Sequence, residues 1–207
     1  MTWRRGSRLV GLMACAWALA ACGVSATGVP RAVTSAPTTS AAGGDGSSTT
    51  NAPSSGGGKL APRVAQPKNL RGLDPCEQLL TPQQRAELTF TKAGEKLPPS
   101  HGMEGCQLFS SDLGIIFTVN ANRDGLEEAY RNRKRITGFR EVQVDGYPGI
   151  RSAPSELSCR LLLGVADDQD LAIDFTRVGS RKPEHRDPCA FTETIARMVL
   201  PNLPEGR

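Results

Sequence analysis

Six cysteines and two histidines carry most of the reactive side-chain chemistry of this 207-residue chain, and their positions sort them into different roles. Cys22 closes the run Leu19-Ala20-Ala21-Cys22. Ahead of it stand Arg4, Arg5 and Arg8 with no acid, then an apolar stretch over residues 9–21. A basic flank, a short apolar core and small residues at the cut are the layout of a secretory signal, and the stretch is too short to span a bilayer. Small residues before a cysteine fit the narrow pocket of a lipoprotein signal peptidase, and the Cys22 thiol is the one nucleophile there that can carry a diacylglyceryl group. The four residues resemble a bacterial lipobox. The expectation is export, cleavage before Cys22 and anchoring on the outer face of the cell membrane. Leu12-Met13-Ala14-Cys15 repeats the pattern, but its apolar core would be residues 9–14 alone, short of the roughly 7–15 residues a signal uses. Gly6-Ser7 after Arg4-Arg5 departs from a twin-arginine signal, which favours the general secretory route. Two or three acyl chains on one cysteine make a lasting anchor, where a single chain binds marginally.

Four cysteines remain: Cys76, Cys106, Cys159 and Cys189. An even number outside the membrane argues for two disulfides. Cys76 and Cys106 are 30 positions apart, as are Cys159 and Cys189, and Asp74-Pro75-Cys76 is echoed by Asp187-Pro188-Cys189. In each echo Asp can cap a helix, Pro takes its first position and Cys its first turn. The partner cysteines open apolar runs, so the preferred pairs are 76–106 and 159–189, although four cysteines allow three connectivities. Each closed loop contributes about 3–4 kcal/mol on the chain-entropy model. There is no Cys-x-x-Cys for redox work and no closely spaced cysteine pair for zinc.

The rest of the chain offers no catalytic constellation. His185 sits among Glu184, Arg186 and Asp187 and reads as a solvated loop leading to a helix cap; His101 stands alone. No Gly-x-Ser-x-Gly elbow is present. Gly56-Gly57-Gly58-Lys59 is followed by Leu60, not the hydroxyl of a phosphate loop. Asp167, Asp168 and Asp170 lack the glycine and distal glutamate of a calcium loop and read as a hairpin turn. The one notable charge run is Arg131, Arg133, Lys134 and Arg135. With Glu127 four residues before Arg131 it reads as a solvated helix face, or more sharply as a contact for an anionic phospholipid, cell-wall polymer or acidic partner. No catalytic residue, metal or cofactor is assigned.

The elements that position these residues begin late. Residues 22–69 are Ser, Thr, Ala, Gly and Pro with hardly a large apolar side chain, and read as a disordered tether that also resembles an O-glycosylated stalk. Residues 70–207 make one domain, large enough to bury about two thirds of its surface. That domain holds 18 basic and 20 acidic residues, so the net charge of +4 belongs to the signal and tether and does not argue for nucleic acid. Within it, residues 74–80 read as a short helix, and Thr81 with Gln84 as a capping box that opens the next. Residues 92–103, with Pro98-Pro99, read as a loop. Strands are expected at 108–110 and 115–120, and Asp124 to Glu127 as a capping box opens a helix to about 135. A strand at 142–151, interrupted at Asp145-Gly146, precedes a hairpin of 161–165 with 171–175. A final helix carries Phe191, Ile195, Met198 and Val199 on one stripe, stopped by Pro201. The order α-β-β-α-β-β-β-α implies an α+β fold, an antiparallel sheet with helices packed on it and two disulfides.

Asp74-Pro75-Cys76 with Leu79-Leu80-Thr81, Gly105-Cys106, Val144-Asp145-Gly146-Tyr147, Cys159 and the Cys189 helix ending in Leu200-Pro201 together resemble an actinobacterial lipoprotein family. That family is known as domain of unknown function 3558. Its pattern often places an aromatic two residues after the second cysteine, where this chain has Leu108 before Phe109. The resemblance supports fold and compartment and implies no activity. The expectation is therefore a non-enzymatic binding or accessory module of the cell envelope, held to the membrane by its lipid and meeting an envelope protein, glycan or lipid. A cell-wall-acting enzyme and a sensory or structural accessory without a ligand are the alternatives.

Overall fold

Strand β7 (Gln169–Arg177) sets the plan of the molecule: Leu171, Ile173 and Phe175 are fully buried on one side, with Asp170, Ala172 and Asp174 between them. The computed structural model describes residues 58–121 and 124–206; Cys22, the signal at 1–21 and most of the expected tether lie outside the described residues. Seven strands form one antiparallel sheet. They are β1 (Glu95–Ser100), β2 (Met103–Phe109), β3 (Leu113–Asn120), β4 (Arg140–Val144), β5 (Tyr147–Ser152), β6 (Ser158–Ala166) and β7, in the order β1-β2-β3-β7-β6-β5-β4. Helix α1 (Pro82–Glu87) precedes them, α2 (Glu127–Arg131) follows β3, and α3 (Pro188–Val199) follows β7.

Cross-strand partners share a face, so the register writes out the core. Cys106, Phe117, Ile173 and Leu161 form one row; Leu108, Ile115, Phe175 and Cys159 form the next; Val119, Leu171 and Leu163 form a third. Over these rows lies α3, whose stripe residues Phe191, Ile195 and Val199 are buried, with Met198 partly buried against the core and Ala196 buried beside them. Asp187 caps α3 by accepting from the Ala190 N–H, and Pro188 takes its first turn. Cys159–Cys189 ties α3 to β6, and Cys76–Cys106 ties the N-terminal segment to β2. Both disulfides stand on this face. Arg151 adds an ion pair to Glu193 of α3, with Nε donating to Oε1 at 2.6 Å.

Several expectations are corrected. The observed order is α-β-β-β-α-β-β-β-β-α. Residues 95–100 are the edge strand β1, where Pro98 and Pro99 are tolerated because one side of an edge strand has no ladder to break. The interrupted strand at 142–151 is a hairpin: Asp145 and Gly146 both hold positive φ (47° and 86°), the two-residue turn that matches strand twist. Residues 74–80 are turns, not a helix. Asp74 accepts from the Cys76 N–H, and the Arg85 guanidinium binds the Cys76 and Leu80 carbonyls that a helix would have used internally. The Thr81–Gln84 capping box forms as expected. The Asp124–Glu127 box does not: Glu127 is drawn inward to accept the Leu60 and Ala61 N–H groups at 2.8 and 3.0 Å, and Asp124 pairs with Arg131, so the Glu127–Arg131 pair is absent. The ordered domain also reaches back beyond residue 70. Residues 60–69 lie along it, with the Val64 N–H on Asp167, the Lys68 N–H on the Val165 carbonyl and Lys68 bridging to Glu205.

Candidate functional site

The opposite face of the sheet is built from the residues between the core positions, because strand side chains alternate. Its rows are Ile116, Asp174 and Arg160; then Thr118, Ala172, Leu162 and Ile150; then Asn120, Asp170 and Gly164. Here α2 is the cover. Leu126, just before α2, sits on Gly164, where an added Cβ would come within 2.9 Å of the Leu126 side chain. Leu126, Ala129, Tyr130 and Ile150 form a small second cluster joined by Ala61, Ile136, Phe139 and Leu162, with Tyr130 meeting Phe139 edge-on at 5.6 Å. A five-residue helix and the short 3-10 turn Arg133–Arg135 cannot roof three rows.

What they leave open is a groove of about 300 Å³, walled by Glu128, Ala129, Asn132 and Ile136 and floored by Thr118, Ala172, Leu162 and Arg160. That volume lies at the small end of ligand sites. Its floor is partly polar. The Asn120 amide donates to Asp170 Oδ2 at 2.8 Å, both residues buried, and Arg160 pairs at 3.4 Å with Asp174, which lies beside the groove on the same sheet face. Burial pushes the Asp174 carboxyl above the usual carboxylate range, and Arg160 offsets part of that shift. The face thus combines an aliphatic strip with charged side chains held at fixed strand positions, a surface suited to recognising a ligand with both apolar and polar groups.

The residues singled out from sequence fall elsewhere. Arg131, Arg133, Lys134 and Arg135 are all exposed on the outside of α2 and the turn after it; Arg131 is held by Asp124, and Arg133 donates to the Tyr130 carbonyl at 3.2 Å. His101 is an exposed hairpin residue with positive φ between β1 and β2. His185 is not solvated: it is 2% exposed, meets Phe191 edge-on at 4.2 Å and lies near Phe175, with Nδ1 2.6 Å from Ser180 Oγ. Burial lowers its pKa. A hydroxyl beside an imidazole is a nucleophile–base pairing, but here both residues are buried, His185 against Phe175 and Phe191. Asp167, Asp168 and Asp170 part ways, to the Val64 N–H, to Arg71 and to Asn120. Among the described residues no three metal-ligating side chains gather. Thr118, Asn120, Asp170, Asp174 and Arg160 were missed as a set; the signal was the polar residues at alternate positions of β7, 170 and 174, on either side of Ala172.

A model of the family described as "Protein of unknown function (DUF3558)" matches residues 17–202. No curated protein and no solved structure matches the chain.

Proposed function

We propose, from the premise that this chain belongs to the DUF3558 family of proteins of unknown function, that it is a lipid-anchored binding module on the outer face of the cell membrane. Anchoring rests on Leu19-Ala20-Ala21-Cys22 behind its basic, apolar leader, a segment inside the family match. Two disulfides agree with an oxidising space. The observation that carries the binding reading is the half-covered sheet face. A folded domain of this size has the means to close both faces, and this one leaves a groove lined by Arg160, whose guanidinium pairs with the partly buried Asp174 carboxylate beside the groove. The ligand is an envelope protein, glycan or lipid segment presenting an apolar strip and a polar group to Arg160 and Asp174. A binding role is favoured over catalysis because the Ser180–His185 contact is enclosed, not placed in the groove.

The test of anchoring is radiolabelled palmitate. The wild-type chain incorporates label and stays with the membrane fraction, while Cys22→Ala loses both. Unchanged processing and retention in Cys22→Ala would overturn the anchoring reading.

A further inference from the structure

We infer that the basic surface where the chain joins the domain docks on anionic phospholipid headgroups and so holds the anchored domain on the membrane in one orientation. The inference rests on lipid anchoring at Cys22 and adds what the domain does once anchored. Residues 60 and 61 lie beside α2: Leu60 and Ala61 are bound through their N–H groups to Glu127, and Ala61 packs against the cluster of Leu126, Ala129, Tyr130 and Ile150. Tyr130 of that cluster directly precedes Arg131–Arg135, and one to two helical turns, roughly 10 Å, separate Glu127 from the cations after it. Lys59 and Arg63 are exposed on the joining segment, and Arg133, Lys134 and Arg135 on the turn after α2. None of these five forms an ion pair among the described residues. Of the flanking acids, Glu127 is turned inward, the exposed Asp124 is engaged by Arg131 and the exposed Asp167 accepts from the Val64 N–H; Glu128 and Glu141 are exposed as well. Leu60, half exposed between Lys59 and Ala61, gives the same surface an apolar side chain for the interface.

The place of this surface gives it a partner. Cys22 lies 37 positions before Lys59, so a chain anchored at Cys22 arrives at the domain beside these five cations. Tethering raises the local concentration of headgroups, so a contact too weak to recruit a free protein is enough to orient a tethered one. Each cation near an anionic surface adds to such binding, and salt screens it.

The test uses the chain from residue 22 onward with Cys22→Ser, so that no acyl chain contributes, and vesicles of phosphatidylcholine with or without an equal part of phosphatidylglycerol. The chain is expected to co-sediment with the phosphatidylglycerol vesicles alone and to be released by added salt. Arg133→Gln, Lys134→Gln and Arg135→Gln together should weaken partitioning about a hundredfold, a factor of about five per charge. Arg181→Gln, Lys182→Gln and Arg186→Gln, an equal loss of exposed charge on the segment leading to α3, should change it less than about threefold. Equal effects of the two triple variants, no preference for phosphatidylglycerol, or binding to soluble dextran sulfate with the vesicles ignored would each overturn the inference. Lost palmitate labelling with vesicle binding intact fails the anchoring reading alone; label retained without vesicle binding fails this inference alone.

Discussion

The two faces of the sheet are made by the same residues of β3, β6 and β7 taken alternately, yet they are finished in different ways. Over Phe117, Ile173 and Leu161 lies the twelve-residue α3, held by a disulfide, an arginine–glutamate pair and a stripe of buried side chains. Over Thr118, Ala172 and Leu162 lies a five-residue helix seated on one glycine, with a groove left beside it. Both disulfides and, Ile150 apart, the largest fully buried side chains belong to the first face. The difference teaches where stability and recognition are placed: one face closes the core, which frees the other to keep polar groups that a closed core would penalise.

Substitution at neighbouring positions should break that comparison or sharpen it. The largest effect is expected from Phe175→Ala on the closed face, a loss of about 3–5 kcal/mol, against a change within about 0.5 kcal/mol for Thr118→Ala on the open one. Urea denaturation measures both, and comparable losses would dissolve the distinction. Gly164→Val places a side chain where Leu126 rests. It should cost about 1–3 kcal/mol by overpacking, with the signals of Tyr130 and Phe139 shifting in NMR spectra while those of Phe191 stay.

A pH dependence separates the faces again. Buried His185, on the closed side, resists protonation, whereas the unfolded chain takes up a proton as pH falls through about 6.5. The unfolded state then binds more protons, so the contribution is intact above that pH and is lost as pH falls below it toward the depressed native value. His185→Gln should flatten this part of the stability profile.

Asp174, on the open side, runs the other way. Its carboxyl is raised in the fold, so the native state binds the proton more readily, and stability falls as pH rises from about 3.8 through the native value. Ionised Asp174 therefore costs stability at neutral pH. Asp174→Asn should be neutral or stabilising by less than about 1 kcal/mol, and should weaken ligand binding in the groove through its partner Arg160.

How much of this was legible in the sequence follows the range of the interactions. Alternation in β7, the α3 stripe, the Thr81–Gln84 box and the paired cysteine spacings are local or repeated patterns, and each appears in the fold. Asp145-Gly146 also carried a hairpin signal, but the flanking residues read as one interrupted strand. The failures depend on distant partners. Glu127 leaves its own helix for Leu60 and Ala61, Arg85 takes the carbonyls of residues 76 and 80, and His185 leaves solvent for Phe175 and Phe191. Prolines hid β1 because an edge strand obeys looser rules than a central one. The groove was hardest to foresee, since its residues come from four strands, α2 and the turn after it, and meet only through the sheet register.

The claim that the open face is the one that binds is tested most directly by a photocrosslinking amino acid placed at Thr118, in the groove, and separately at Thr194, exposed on the outer side of α3, in chains expressed in intact cells. The account predicts a discrete adduct from position 118, abolished by Asp174→Asn with Arg160→Gln, and none from position 194. An adduct from position 194 with none from position 118 would contradict it.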